Sequence, residues 1–143
     1  MTDFKKYKDT VFTIIGAAMT VHNELNYGLL EAIYNDALHL ELLDLNIENE
    51  TEKAIKCYYK QHLLEKSYKM DIVVKDIILE LKSVNELTSA HRVQLFNYLR
   101  LTKMPIGILI NFGQSKLQTE RYAFIEETNE CVLLDKNMNI LYL

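Results

Sequence analysis

Apolar residues recur at helical spacing from about residue 8 to 24, where Val11, Ile14, Ile15, Ala18, Met19 and Leu25 share one stripe with His22. The segment Asn26-Tyr27-Gly28 interrupts this helix, and Leu30, Ile33, Tyr34, Ala37 and Leu38 carry a second helix to about Leu43. The period then changes from helical to alternating. Ile55, Cys57 and Tyr59 alternate with Lys56, Tyr58 and Lys60, which predicts a strand. Tyr68, Met70, Ile72 and Val74 alternate with Lys69, Asp71 and Val73, and Ile77, Leu79 and Leu81 alternate with Ile78, Glu80 and Lys82. Helical spacing returns from Thr88 to about Thr102, with Thr88 or Ser89 as its N-cap. Pro105 stops that helix, and Ile106 to Asn111 form a short apolar run expected to be a buried strand. Beyond Gly113 the pattern weakens, and 120–125, 131–134 and 139–143 are candidate strands. The order of elements predicts an α/β fold with a mixed sheet flanked by helices.

Composition narrows this picture only a little. At 143 residues, with 49% apolar and 25% charged side chains, the chain suits one globular domain spanning 1–143. One proline and four glycines leave little room for linkers. Cys57 and Cys131 lack the CxxC spacing of a structural zinc site and are expected to be buried, reduced thiols. The basic start MTDFKKYKDTVF has no apolar run of signal-peptide type, and no stretch reaches the roughly 20 residues of a membrane span. A cytoplasmic protein without membrane contact is therefore expected.

Charge alters the picture more. The net −4 argues against a protein that coats nucleic acid by bulk charge alone. The distribution is uneven, however. Residues 36–50 hold Asp36, Glu41, Asp44, Glu48 and Glu50 with no Lys or Arg. Residues 51–70 hold Lys53, Lys56, Lys60, Lys66 and Lys69 against Glu52 and Glu65, interleaved with Tyr58, Tyr59 and Tyr68. Such a stretch could follow a phosphate backbone and stack on bases. The plainer reading is a solvated strand pair.

The candidate chemistry lies between Lys69 and Lys82. A tight turn at Lys75-Asp76 pairs Val74 with Ile77 and Val73 with Ile78, which sets Asp71 opposite Glu80 on one face. Opposed Cβ atoms lie about 5 Å apart, and Lys82 joins the same face two residues on. Two carboxylates in register repel unless a cation sits between them, and a hard divalent ion such as Mg²⁺ suits such oxygen donors. Glu31 lies beside the apolar stripe of the second helix, three residues before Tyr34. On the third helix His91, Gln94 and Tyr98 fall on one stripe, and a buried Gln94 needs a hydrogen-bond partner.

These residues resemble the PD-(D/E)XK nuclease superfamily and, within it, the small GxxExxY family, over about Val11 to Tyr122. The resemblance rests on His22, Gly28-Leu29-Leu30-Glu31-Ala32-Ile33-Tyr34, Lys69-Met70-Asp71 and the E-x-K element Glu80-Leu81-Lys82. His91 with Gln94-Leu95-Phe96-Asn97-Tyr98-Leu99 is similar to the Q-x-x-x-Y motif of RecB-like nucleases, and Asn111-Phe112-Gly113 with Arg121 matches the family's ending. Two departures stand out. Leu25-Asn26-Tyr27-Gly28 replaces the usual Leu-Gly-Pro-Gly, and Met70 stands where the superfamily's name has proline.

The resemblance implies a restriction-endonuclease-like fold in which Asp71, Glu80 and the Leu81 carbonyl bind Mg²⁺ or Mn²⁺, with Glu31 completing the shell directly or through water. It implies that Lys82 orients or deprotonates the attacking water or stabilises the oxyanion, and that Gln94 and Tyr98 position the substrate phosphate or Lys82. His22 and Tyr34 are expected to be structural. The leading expectation is a metal-dependent nuclease acting on nucleic acid, DNA before RNA. Its rival is a catalytically inactive binding or assembly module on the same fold. An ordinary globule with an acidic surface face is the third reading. A homodimer or a protein partner is expected to supply the recognition surface that so small a chain lacks.

Overall fold

The computed structural model describes residues 3–142. A 3₁₀ turn at Phe4–Tyr7 leads into α1 (Lys8–Leu25) and α2 (Glu31–Asp44). Then follow β1 (Glu50–Tyr59), β2 (His62–Val74), β3 (Ile77–Lys82), α3 (Ser89–Thr102), β4 (Ile106–Asn111), β5 (Gln118–Ile125) and β6 (Glu130–Leu134). The α/β expectation holds: the six strands lie in one mixed sheet in chain order, flanked by helices. Only β3 and β4 pair in parallel, and α3 makes the crossover that such a pair requires. The other neighbours are antiparallel.

Local chemistry sets the ends of the helices. Asn26, at φ 62° and ψ −164°, ends α1 in a strained conformation that glycine adopts more readily, and its N–H donates to the His22 carbonyl. Thr88 starts α3, its own N–H held by Nδ1 of His91 at 3.0 Å. His91 is thus part of the cap rather than of the polar stripe below it. Lys103, at φ 61°, closes the helix ahead of Pro105.

The helices divide the core into two layers. α1 and α2 bury Ile14, Ala18, Tyr34, Leu38 and Leu42 against Ile72, Val74, Ile77, Leu79 and Leu81. On the other face α3 buries Leu95, Tyr98 and Leu99 against Met70, Val73, Ile78 and Leu109. A Cβ on Gly107 would come within 2.8 Å of Leu95, so the bare backbone there lets α3 sit close on the sheet.

The β2–β3 turn has the expected register, with Val74 on Ile77 and Val73 on Ile78, and Lys75 takes the positive φ (52°) of the tight turn. The alternation expected along β2 does not survive its whole length. Ile72 and Val74 face α1 and α2, but Met70, of the same parity, packs with Val73 on the α3 side. Between them lies Asp71, and across from it Glu52 on β1 has φ 53°, a left-handed conformation foreign to a regular strand. The strand therefore turns about its axis at Asp71, as strands do at bulges beside functional sites.

β1 begins five residues before the expected 55–60, and β2 six residues before the expected 68–74. They run on as a two-stranded arm to Lys60-Gln61, whose φ values of 47° and 71° suit a primed two-residue turn. No residue from Lys56 to Lys69 is buried, so the core's periodicity could not reveal the arm's extent. Of the strand expected at 139–143, Ile140 makes one isolated bridge to Leu134, and Leu143 lies outside the described residues. Cys57 and Cys131 are free and half-buried rather than buried. Among the described residues no helix is long and apolar enough to cross a membrane.

Candidate functional site

The β2–β3 ladder ends at Ile72 and Leu79. Past that point each strand's acid takes over the pairing. Glu80 Oε1 accepts the Asp71 N–H at 3.0 Å, and Asp71 Oδ2 accepts the Leu81 N–H at 2.8 Å. The two carboxylates are thus interlocked by the backbone of the opposite strand, and Lys69 pairs with Ala54 of β1 rather than facing Lys82.

Both acids are held out of water. Glu80 is 2% exposed and Asp71 half-buried, yet neither has a lysine or arginine within ion-pair distance among the described residues. Burial pushes the Glu80 carboxyl well above the usual carboxylate range, and the charge of Asp71 adds to the rise. Burial also raises Asp71, and Glu31 and Glu52 push the same way while the Leu81 N–H and Lys82 oppose them. Lys82, at the end of β3, does not neutralise the pair by contact. Its Nζ donates to Gln94 Oε1 of α3 at 2.7 Å. Tyr98, one turn further along α3 and 3% exposed, has its hydroxyl pushed up to about 12 by burial first and then by Glu80 and Asp71.

Asp71, Glu80, Lys82, Gln94 and Tyr98 therefore gather on the α3 face of the sheet. Glu31 approaches from the other side. It stands exposed in the first turn of α2, close enough for its charge to act on Asp71 but joined to no partner by a hydrogen bond. Among the described residues no three His, Cys, Asp or Glu side chains close into a cation cluster, and Glu31 stands apart from the interlocked pair. Three carboxylates at one point repel, and an exposed glutamate relieves that repulsion by staying in water. Leu81 is buried in the α1/α2 layer and enters the site through its backbone.

The loop ahead of α2 is fixed by Tyr34. Its buried hydroxyl donates to the Asn26 carbonyl at 2.7 Å and accepts the Leu29 N–H at 3.0 Å, while its ring stacks on Phe112 at 4.4 Å. Gly28, at φ 88°, lets its N–H reach the Phe112 carbonyl. His22, 6% exposed, meets the Gln114 carbonyl at 2.8 Å and packs beside Phe112. Both residues are structural, as expected.

Three further residues adjoin the site. Glu52 acts on Asp71 by charge, but nothing in the β1 pattern points to it. The Tyr68 ring lies 5.4 Å from that of Tyr98, a contact that depends on the turn of β2. Asn111 ends the apolar run of β4, and a polar residue there is itself a signal. Fully buried, it ties Val84, Gly113 and Gln118 together just beyond Lys82.

Comparison with known proteins decides the family. Residues 8–122 match the PD-(D/E)XK nuclease superfamily. The chain belongs to this superfamily. No curated protein matches the chain. One solved structure that is similar, the crystal structure of SSO0001, shares 24% identity at a TM-score of 0.47, over 68% of this chain and 55% of that one. This chain thus spans about half the length of that protein. Within the PD-(D/E)XK superfamily a restriction-endonuclease-like sheet and a nuclease activity go together, and divalent metals are the usual cofactors.

The donor set of this PD-(D/E)XK chain fits such an ion. Two desolvated carboxylates face one another with hard oxygen atoms and no protein cation between them.

Proposed function

We propose that this chain is an Mg²⁺- or Mn²⁺-dependent phosphodiesterase of the GxxExxY branch, hydrolysing nucleic acid, with DNA as its first substrate. One observation carries the reading: the interlocked carboxylates of half-buried Asp71 and buried Glu80, raised in pKa, have no lysine or arginine in ion-pair contact among the described residues. Burying two acids is costly unless their charge serves a ligand.

Asp71, Glu80 and the Leu81 carbonyl would hold the ion, with Glu31 added from α2. A divalent ion supplies Lewis acidity that lowers the pKa of water and offsets charge building on the scissile phosphate. Lys82 directs its ammonium at the attacking water or the developing oxyanion, and Gln94 holds it there through the 2.7 Å hydrogen bond. Tyr98 keeps its proton at neutral pH, with a hydroxyl pKa near 12, so it serves as a donor to phosphate oxygen rather than as a base.

The cavities of about 990 and 410 Å³ are lined by other residues, the first by the α1 start, the α2–β1 loop and the β2–β3 turn. The acids line neither cavity and lie beside the base of the β1–β2 arm. A non-catalytic binding module on the same fold is the second reading, and the exposed position of Glu31 favours it.

A cleavage panel separates the two. Single- and double-stranded DNA and RNA are incubated with the wild type and with Lys82→Ala, in Mg²⁺ and in Mn²⁺. The expected result is metal-dependent cleavage of at least one substrate, reduced about 10²- to 10⁴-fold in Lys82→Ala. Metal binding without cleavage of any substrate supports the binding module. Equal cleavage by Lys82→Ala refutes the assignment.

A further inference from the structure

The β1–β2 arm has no structural task that explains its side chains. From Lys56 to Lys69 nothing on it is buried, and Tyr58 and Tyr59 are each 61% exposed, with Leu63 at 58%. Lysines are the ordinary protection of a two-stranded ribbon in water, but exposed tyrosine rings gain nothing there and call for a partner. Charge sets the arm apart too. Residues 53–69 hold five lysines and one glutamate, a net +4, so the rest of the chain carries −8 of the overall −4. The Lys60 ammonium lies 5.4 Å from the Tyr59 ring centre, placing a cation beside a flat aromatic face. At the arm's base the Tyr68 ring, 45% exposed, reaches the Tyr98 ring of the acidic site.

We propose that the β1–β2 arm is a clamp for single-stranded nucleic acid that leads an unpaired strand into the Asp71/Glu80 site. The inference rests on the nuclease reading for its direction, but the arm's binding is separable from hydrolysis. Lysines supply phosphate attraction that the acidic remainder of the surface cannot. Tyr58 and Tyr59 supply stacking platforms that any unpaired base can use. Tyr68 makes the path continuous with the site. A β-ribbon also fits the major groove of a duplex. Stacked base pairs, however, offer their faces to no tyrosine, and the exposed rings therefore favour the unpaired strand.

The test uses the full chain in EDTA, so that binding is read without cleavage. Fluorescence anisotropy follows a labelled oligodeoxythymidine and a duplex of equal length across a salt series. Two variants are compared with the wild type, Tyr58→Ser/Tyr59→Ser and Lys56→Gln/Lys66→Gln/Lys69→Gln. Because every substituted residue is exposed, both should melt as the wild type does. The tyrosine variant is expected to lose about fivefold to a hundredfold in single-strand affinity per stacking ring, with duplex binding unchanged. The lysine variant is expected to weaken both and to lower the single-strand salt slope by about 2, at about 0.7 per phosphate contact. Single-strand affinity equal to wild type in both variants overturns the proposal. So does a wild type that binds no oligonucleotide, or one that prefers duplex and is indifferent to the tyrosines. A concentration-dependent dimer in sedimentation that the tyrosine variant abolishes also overturns it, by assigning the arm to a second copy. Arm-dependent binding with no cleavage in Mn²⁺ upholds the clamp and refutes the nuclease reading alone.

Discussion

Glu80→Gln replaces the ionisable carboxyl of the buried pair with a neutral amide while keeping its volume and its acceptor for the Asp71 N–H. The folded pKa of Glu80 lies well above the ordinary 4.5, so the native chain holds a proton that the unfolded chain has released. Stability of the metal-free protein must then fall as pH rises from the ordinary carboxylate range to the raised folded value. The slope is about 1.4 kcal/mol per pH unit for each such carboxylate, and Asp71 contributes in the same direction. For a chain of this length that is about 4–5 °C in Tm per unit. The two lowered acids, Glu120 and Asp135, have the opposite sign, but their windows lie below their ordinary values of 4.5 and 3.8 and do not overlap.

A divalent ion must compete with the protons on Asp71 and Glu80, so its stabilisation grows with pH. At 100 times its Kd it should add about 2.7 kcal/mol, or roughly 8–10 °C. The assay is a melting series from acid to neutral pH, in EDTA and in Mn²⁺. Wild type should lose Tm with rising pH in EDTA and regain it with Mn²⁺. Glu80→Gln should show a flatter EDTA profile, a higher metal-free Tm near neutrality, and no shift with Mn²⁺. A variant with the wild-type pH slope would show that Glu80 is not held protonated. A variant with the full Mn²⁺ shift would show that the ion binds elsewhere.

Other outcomes follow from the same geometry. Tyr34→Phe deletes both hydrogen bonds that tie Asn26 and Leu29 to the start of α2, and should cost about 1–2 kcal/mol in denaturant unfolding while leaving the Phe112 stack. Unchanged stability would show that solvent replaces those bonds freely. Gly113→Ala would drive a Cβ into the main-chain N and O of Val84, shifting the segment after Lys82 at a cost of about 1–3 kcal/mol. A crystal structure of the variant with Val84 unmoved would refute this. Arg92→Met breaks a bidentate pair to Glu120 at 2.7 and 2.8 Å. Partial exposure limits the loss to about 1 kcal/mol. Because Arg92 lowers the Glu120 pKa, that stabilisation is present above 4.5 and fades as pH falls, so the variant's acid limb should be shallower than wild type's. Equal limbs would contradict the pairing.

The sequence disclosed those parts of the fold whose side chains must alternate with a core. α1, α2, α3 and β4 each carry a stripe or run of apolar residues buried in the structure, and their bounds follow from that burial. Where a segment leaves the core, the signal stops. The outer part of β2, residues 62–67, is held by ladder bonds alone, and its exposed side chains obey no period. The strand expected at 139–143 fails for a related reason: Leu141 and Tyr142 are exposed, and only Ile140 finds a bridge.

The site shows where local pattern gives way to long-range pairing. The turn at Lys75-Asp76 and the apolar pairs next to it were enough to set Asp71 beside Glu80. Period two then implied that Met70 shares a face with Ile72, and it does not. The reason is about twenty residues away in the chain, at Glu52, whose left-handed backbone lets β1 follow a rotation in β2. That rotation lets Met70 and Tyr68 meet α3 while Ile72 stays beneath α1 and α2. It also ends the β2–β3 ladder at the residue where both acids need to face inward. Were the strand regular, Asp71 N–H and Leu81 N–H would be committed to ladder carbonyls or water, and the carboxylates would lose the donors that hold them together. Straightening the strand should therefore loosen the acids. Glu52→Val, a residue averse to positive φ, is expected to destabilise the fold and to weaken Mn²⁺ binding together. Weakened binding with an unchanged melting temperature would leave only the charge of Glu52, and not the bend, acting on Asp71.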